Sequence, residues 1–125
     1  MFKDPQGPIT QFDWGKFTIN GEVHSPDQGV GKDIFLSAEG VSAWHEREGH
    51  KLKPEMLMRA LKRSPEILLI GTGVEGALEI GKKALEAAKI AGVPLVAMRT
   101  PDACQEYNRL FQLGKKVILL AHGTC

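Results

Sequence analysis

Residues 67–76 read Ile67-Leu68-Leu69-Ile70-Gly71-Thr72-Gly73-Val74-Glu75-Gly76, and this stretch decides the fold class. Its first four residues form a short, wholly apolar run, which is typical of a strand buried on both faces of a parallel sheet. The glycines that follow end the strand and permit a tight turn. A helix is expected next, over about 76–91, because apolar residues recur there on one face and Gly92 follows.

The same alternation continues towards the end of the sequence. Residues 93–98 predict a second buried strand, and residues 116–121 predict a third. Between them, Thr100-Pro101-Asp102 predicts a helix that begins with a capping hydroxyl, ends at Gly114 and turns Tyr107 and Phe111 inward. Residues 66–121 are therefore expected to form a βαβαβ unit with parallel strands.

The first half of the chain has a different pattern. Residues 10–50 predict a strand-rich meander, in which Asn20-Gly21 lies between alternating apolar residues and indicates a hairpin. Pro54 indicates the start of a short helix over 54–63. We expect the meander to cover or extend the parallel sheet. The whole chain, 1–125, then predicts a single three-layer α/β domain around a mixed sheet of about five strands.

Composition and charge exclude several classes of protein. The 125 residues include 16 Lys and Arg against 15 Asp and Glu, a net charge of +1, and no basic block. A nucleic-acid partner is therefore not expected. The apolar runs are far too short to cross a membrane, so no membrane insertion is expected. Two cysteines and the lack of a signal or transit pattern predict a cytoplasmic protein.

The glycines of residues 71–76 match the G-x-G-x-x-G pattern of dinucleotide-binding loops. Against that function, no acidic residue ends the second strand, and the chain holds only one mononucleotide-binding half. Arg99 at that position would suit a 2′-phosphate, which keeps an NADP-using oxidoreductase as the less favoured alternative. The sequence favours glycines that serve turn geometry and packing, and no cofactor is expected.

Metal and catalytic patterns are weak. His45-Glu46-Arg47-Glu48-Gly49-His50 is close to the zinc motif H-E-x-x-H, but its second histidine comes one residue too late for one helix face. No cysteine or third histidine lies near in sequence, so no metal site is predicted. Cys104 is expected to pack in the core and Cys125 to be mobile. No spacing indicates a nucleophile with its base, so no catalytic residue is predicted.

One binding site can be placed from the predicted topology. The loops after three parallel strands meet at one carboxyl edge of the sheet, where ligands of open α/β sheets bind. Backbone N–H groups at the expected helix start and a guanidinium would attract an anion. We therefore predict a small anion-binding site whose residues are Gly71, Thr72, Gly73, Arg99 and His122.

The order and spacing of several short motifs resemble a small family of uncharacterised domains. Its animal members include the mitochondrial NADH-dehydrogenase complex assembly factor 3 and an adipogenesis-associated domain protein. The resemblance spans Phe12 to Ala121 and is carried by the following motifs: Trp44, Gly49-His50, Gly71-Thr72-Gly73, Gly92-Val93, Met98-Arg99-Thr100, Ala103, Tyr107-Asn108 and Leu110.

The resemblance implies a three-layer α/β fold around a mixed five-stranded sheet, no established enzymatic activity and no catalytic residues to carry over. It favours a non-enzymatic protein-interaction or assembly-factor-like module with a protein partner. The small anionic-ligand binding domain is the alternative, and the NADP-using enzyme comes after it. The sequence does not indicate an oligomeric state.

Overall fold

Eleven strands and three α-helices follow one another along residues Met1–Cys125, all of which the computed structural model describes. The helices are α1 (Met58–Leu61), α2 (Lys82–Ile90) and α3 (Thr100–Gln112), and a 3₁₀ turn at Pro54–Met56 precedes α1. The strands are β1 (Phe2–Lys3), β2 (Ile9–Asp13), β3 (Lys16–Ile19), β4 (Glu22–His24), β5 (Asp33–Ser37), β6 (Gly40–Ala43), β7 (Lys51–Leu52), β8 (Ile67–Gly71), β9 (Glu79–Ile80), β10 (Leu95–Met98) and β11 (Val117–His122). None of the helices has the length and apolar character needed to span a bilayer.

The central sheet has five strands in the order β10-β8-β11-β5-β6. Strand β8 pairs in parallel with β10 on one side and with β11 on the other, as the apolar runs predicted. The burial predicted for residues 93–98 was wrong, because β10 is an edge strand and its Val96 and Ala97 are exposed. Strand β5 pairs antiparallel with both β11 and β6, which makes the sheet mixed. Every residue of β11 is buried, as expected for a strand with both faces covered. The predicted α/β fold with a mixed five-stranded sheet is confirmed.

The strand-rich first half both covers and extends the central sheet. Strands β1 to β4 form a separate antiparallel sheet, whereas β5 and β6 join the central one. The hairpin between β3 and β4 turns at Asn20 and Gly21, whose φ angles are 49° and 82°. Positive φ at both positions is what this two-residue turn requires, so the predicted hairpin is confirmed.

Two hydrophobic cores lie on opposite faces of the central sheet. On one face, Trp44, Leu57 and Leu78 pack with Ala84 and Ala88 of α2. On the other face, the four-stranded sheet and α3 share a core that includes Phe12, Phe17, Leu119, Tyr107 and Leu110. The layers are therefore α1 with α2, then the sheet, then α3 with the small antiparallel sheet, which confirms the three-layer arrangement.

The helix expected over 76–91 starts later than the pattern predicted. Residues Glu79–Ile80 form β9, which pairs in parallel with Lys51–Leu52, and α2 begins only at Lys82. The backbone N–H of Glu79 donates to the His50 carbonyl oxygen at 2.8 Å. This bond to a distant segment takes the place of the first turn of the expected helix. The expected start was wrong because the spacing of apolar residues does not reveal that two segments about 30 residues apart pair with each other.

Helix α3 has the predicted extent, but one side chain expected to face inward does not. Ala103, Tyr107 and Leu110 are buried, and the helix ends before Gly114, which has a φ of 77°. Phe111, expected to face inward, is 36% exposed and stacks on Tyr107 with ring centroids 6.0 Å apart. The two residues are four positions apart, so Phe111 shares one side of the helix with Tyr107 but lies at the edge of the buried stripe. The short helix predicted over 54–63 is present as the 3₁₀ turn and α1.

Candidate functional site

The carboxyl edge of the parallel strands brings several of the predicted site residues together. Gly71 at the end of β8 pairs with Ala121 of β11 and with Met98 of β10. Thr72 and His122 therefore leave neighbouring strands at the same edge, and Arg99 follows β10 there. The sequence placed these residues correctly at one edge of the sheet.

The glycine-rich loop at this edge uses its backbone N–H groups within the chain. Every N–H from Thr72 to Leu78 donates to an oxygen of the protein itself. Val74 donates to the Thr124 carbonyl oxygen at 2.6 Å, while Glu75 and Ala77 donate to the Cys125 backbone oxygen at 3.2 and 3.0 Å. The Thr72 and Gly73 N–H groups, which belong to the predicted anion site, donate to the Met98 carbonyl oxygen and the Thr100 hydroxyl. The expectation that this loop begins a helix was wrong.

Two glycines of the loop allow close packing of the chain against itself. Gly73 has a φ of +104°, and a Cβ at this position would lie 2.6 Å from the Cys125 backbone oxygen. A Cβ at Gly71 would lie 2.9 Å from the Thr100 hydroxyl oxygen and 3.1 Å from the Ala121 Cβ. The sequence favoured turn geometry and packing as the roles of these glycines, and these roles explain why both positions are glycine.

Thr100 connects the loop to β11. Its fully buried hydroxyl donates to the His122 carbonyl oxygen at 2.6 Å and accepts the Gly73 N–H at 2.9 Å. The helix cap predicted for Thr100 was wrong, because α3 has Arg99 at its N-cap and no side-chain cap bond. The threonine instead joins the ends of β8 and β11 to the start of α3.

Arg99 and His122 differ in their surroundings. Arg99 is exposed, with its Nε 3.6 Å from where a Cβ on Gly76 would lie. His122 is 1% exposed, and its Nδ1 lies 2.8 Å from the Asp33 Oδ1. The edge therefore holds an accessible guanidinium and a buried imidazole that is already bonded, and the predicted anion site stays a prediction.

Asp33, at the start of β5, organises the polar groups around His122. Its carboxylate accepts bonds from the Arg47 Nε at 3.0 Å and from the Gly123 N–H at 3.3 Å, and Lys32 Nζ lies at 3.3 Å. Burial opposes ionisation, but the bonds from His122 and Arg47 outweigh it and hold the pKa of Asp33 far below its usual range. Because an ionised carboxylate only accepts, the His122 Nδ1 is the nitrogen that donates to Asp33. The Nε2 on the other side of the ring lies 3.5 Å from the Thr124 hydroxyl.

A thiol and a second imidazole face that nitrogen. The Cys125 Sγ lies 3.6 Å from the His122 Nε2 and 3.2 Å from the His50 Nε2. The two histidine rings meet edge to face, with centroids 5.7 Å apart. Each of these three residues offers one atom that could bind a metal ion. The three atoms, from His50, His122 and Cys125, lie within 4.8 Å of one another.

Sequence reasoning missed this cluster for two reasons. Cys125 was expected to be mobile, yet the bonds from Glu75 and Ala77 hold its backbone. The sequence pattern paired His50 with His45, but His45 is exposed and contacts Glu46. The ring of His50 instead contacts Cys125, at the other end of the sequence. One signal was available: His122 and Cys125 are separated by two residues, a spacing common among metal ligands.

The cluster is suited to two kinds of chemistry. A thiolate beside imidazoles binds soft and borderline metal ions such as Zn²⁺. A cysteine next to a histidine that a carboxylate orients is also the arrangement of a nucleophile and its base. The other cysteine, Cys104, is fully buried, and burial raises the pKa of its thiol, so it packs in the core as predicted.

Two of the cavities in the molecule border helix α2. A cavity of about 720 Å³ is bordered by the start of α2 and by β7, and its lining includes Lys51, Lys53, Lys82 and Lys83. A cleft of about 350 Å³ lies between α2 and the start of β10; we call it the β10 cleft, and its lining residues are Leu85, Ala88, Lys89, Gly92, Val93, Pro94 and Leu95.

Comparisons with known proteins identify relatives of the fold and the family. The chain is similar to the solved structure of a protein called MT938, with 25% identity, a TM-score of 0.74, and 94% of this chain and 97% of that chain covered. It is similar to an outer membrane protein from Bartonella henselae, with 24% identity, a TM-score of 0.77, and coverage of 94% and 95%. A Bordetella pertussis protein described as a Mth938-like domain matches with 20% identity, a TM-score of 0.70, and coverage of 98% and 91%. The model of the DUF498/DUF598 family, described as a protein of unknown function, matches residues 9–122, and the chain belongs to this family.

Proposed function

We propose that the protein is a non-enzymatic interaction module that acts like an assembly factor and holds a partner polypeptide along strand β10. The observation that carries the proposal is the unprotected edge that β10 gives to the central sheet. The resemblance to a family that includes a mitochondrial assembly factor supports the same class of function. The proposal includes a cytoplasmic location and a protein partner other than a second copy of this chain.

The two edges of the central sheet differ in their protection. At the β6 edge, Arg59 donates to the Ala43 carbonyl oxygen at 2.7 Å and to the Ser42 hydroxyl at 3.1 Å. Charged side chains of this kind are a common defence against pairing with another strand. Strand β10 reads Leu-Val-Ala-Met, contains no charged residue and exposes 39% of Val96. An apolar edge strand without such protection is suited to pairing with an added strand.

The β10 cleft gives the same edge a place for apolar side chains. It borders Leu95 at the start of the strand, and Leu85 of α2, which is 46% exposed, lies on its other side. In strand addition, the main chain supplies binding energy and pockets beside the edge select alternate side chains. The chemistry of the edge fits an extended, apolar segment of a partner protein.

Replacing Val96 with lysine is expected to weaken partner binding by protecting the edge. The test compares proteins retained by tagged wild-type, Val96→Lys and Leu113→Lys chains, and then measures the affinity of the identified partner by titration. Leu113 is 62% exposed after α3, so Leu113→Lys is a matched exchange of an exposed apolar residue outside the β10 edge. We expect Val96→Lys to weaken binding by at least tenfold, since hot-spot residues of an interface contribute about 2 kcal/mol or more. Leu113→Lys is expected to bind as the wild type does.

Equal binding by the Val96→Lys variant would contradict the proposed surface. Light scattering after size exclusion identifies the occupant: a wild-type dimer that Val96→Lys makes monomeric would show a second copy on the edge and contradict the proposed partner.

A small anionic-ligand binding domain is the second candidate, and the exposed guanidinium of Arg99 at the carboxyl edge favours it. Because the loop N–H groups are already bonded, Arg99 would hold the anion beside Gly76 and Thr100. Phosphate titration followed by NMR is expected to shift the amides of these residues and of Gly71–Gly73 saturably in the wild type and not in Arg99→Ala. Absence of a saturable shift in the wild type would end this candidate.

A further inference from the structure

We propose that His50, His122 and Cys125 form a binding site for a Zn²⁺ ion, with Asp33 orienting His122. The site goes beyond the interaction function and does not depend on it. Three observations support the site: the distances between the three ligand atoms, the hydrogen bonds that hold the ligand residues, and the match of their donor atoms to zinc.

The distances between the ligand atoms fit tetrahedral zinc. With Zn–S near 2.3 Å and Zn–N near 2.0–2.1 Å, a tetrahedral ion separates its sulfur and nitrogen ligands by about 3.6 Å. The Cys125 Sγ lies 3.6 Å from the His122 Nε2 and 3.2 Å from the His50 Nε2. Both sulfur–nitrogen distances therefore lie within a few tenths of an ångström of the tetrahedral value. All three ligand atoms lie within 4.8 Å of one another, and the two imidazole nitrogens close to about 3.3 Å when both bind the ion.

The surroundings of His122 match those of a metal-bound histidine. Such residues almost always donate their second ring nitrogen to a carboxylate or carbonyl, which fixes the tautomer and the orientation of the ring. Here the His122 Nδ1 lies 2.8 Å from the Asp33 Oδ1, and the Arg47 Nε donates to Asp33 Oδ2 at 3.0 Å. The His122 Nε2 is thereby left as the ligand atom that faces Cys125.

The backbones of the other two ligands are held in place. Cys125 accepts the N–H groups of Glu75 and Ala77 through its backbone oxygen, and the His50 carbonyl oxygen accepts the Glu79 N–H at 2.8 Å. His50 is exposed, while Cys125 is partly buried. Three protein ligands leave the fourth tetrahedral position for water, on the side that solvent reaches.

The composition of the cluster favours a metal ion over a nucleophile. A cysteine nucleophile needs one imidazole as its base, whereas here two imidazole nitrogens contact the same sulfur. The loop N–H groups that could stabilise a developing oxyanion are bonded to residues 124–125. One thiolate and two imidazoles form a donor set that selects zinc-like ions over Mg²⁺ or Ca²⁺.

Binding of Zn²⁺ to the purified full chain, measured by calorimetric titration and by metal analysis after dialysis, tests the proposal. We expect one ion per wild-type chain and a loss of affinity of at least about 100-fold in His50→Ala and Cys125→Ser, because even outer-shell partners contribute 10–100-fold. Asp33→Asn is expected to lose about 10–100-fold. His45→Ala, which removes an exposed histidine five residues from His50, is the matched control and is expected to bind as the wild type does.

A cobalt-substituted sample gives a readout that does not depend on affinity. Co²⁺ bound in the site is expected to show sulfur-to-metal charge-transfer absorption and tetrahedral d–d bands in the wild type, with the charge-transfer band absent from Cys125→Ser. Because His50 is exposed, its removal is expected to leave the fold intact, and circular dichroism of the variant checks this. A wild-type chain that binds no zinc, or a His45→Ala variant that loses as much affinity as His50→Ala, would overturn the proposal.

Discussion

Replacing Gly73 with alanine is expected to displace residues 124–125 and to lower the free energy of unfolding by about 2–5 kcal/mol. Two effects combine: a side chain at positive φ costs about 1–2 kcal/mol, and overpacking against a fixed neighbour costs about 1–3 kcal/mol. The new Cβ would lie 2.6 Å from the Cys125 backbone oxygen and 3.0 Å from that of Thr124. Urea denaturation followed by circular dichroism measures the loss.

Gly92→Ala is the matched control for this prediction. Gly92 has a φ of +73°, but a Cβ there has nothing within 4 Å, so only the backbone strain of about 1–2 kcal/mol is expected. The Gly73→Ala variant should also bind zinc at least tenfold more weakly than Gly92→Ala, because it moves a metal ligand. Equal destabilisation by the two variants, with zinc binding unchanged in both, would show that Gly73 does not position Cys125.

Replacing Trp44 with alanine is expected to lower the free energy of unfolding by about 3–5 kcal/mol, the usual cost of removing a large buried aromatic side chain. Trp44 follows β6, is 1% exposed and packs in the core between the sheet and α2. Its indole N–H donates to the Met56 carbonyl oxygen at 3.0 Å and so ties β6 to the 3₁₀ turn. Urea denaturation followed by circular dichroism measures the change.

The second tryptophan of the chain provides the comparison. Trp14 is 53% exposed in the turn between β2 and β3, so Trp14→Ala is expected to change the free energy of unfolding by less than about 0.5 kcal/mol. A similar loss in both variants would contradict the assignment of Trp44 as the residue that joins these elements.

The elements that could be predicted from sequence are those specified by local chemistry. The apolar run at Ile67–Ile70 identified β8, and Asn20-Gly21 identified the hairpin, because burial on two faces and positive φ leave direct signals in residue type. The position of His122 at the carboxyl edge followed from the same parallel topology.

The candidate site could be predicted only in part because its contacts are distant in sequence. His122 bonds to Asp33, 89 positions away, and His50 contacts Cys125, 75 positions away. The N–H groups of Val74 and Glu75 lie in the loop expected to bind an anion, but they donate to the backbone oxygens of Thr124 and Cys125. No local pattern distinguishes a glycine loop that receives a phosphate from one that receives another part of its own chain.

An anomalous difference map at the zinc absorption edge, from crystals of the zinc-loaded protein, tests most directly that His50, His122 and Cys125 act as one site. The map is expected to show a single strong peak about 2.0–2.1 Å from the Nε2 atoms of His50 and His122 and about 2.3 Å from the Cys125 Sγ. A map without a peak between these three residues, or with its only peak at an exposed residue such as His45, would contradict the account.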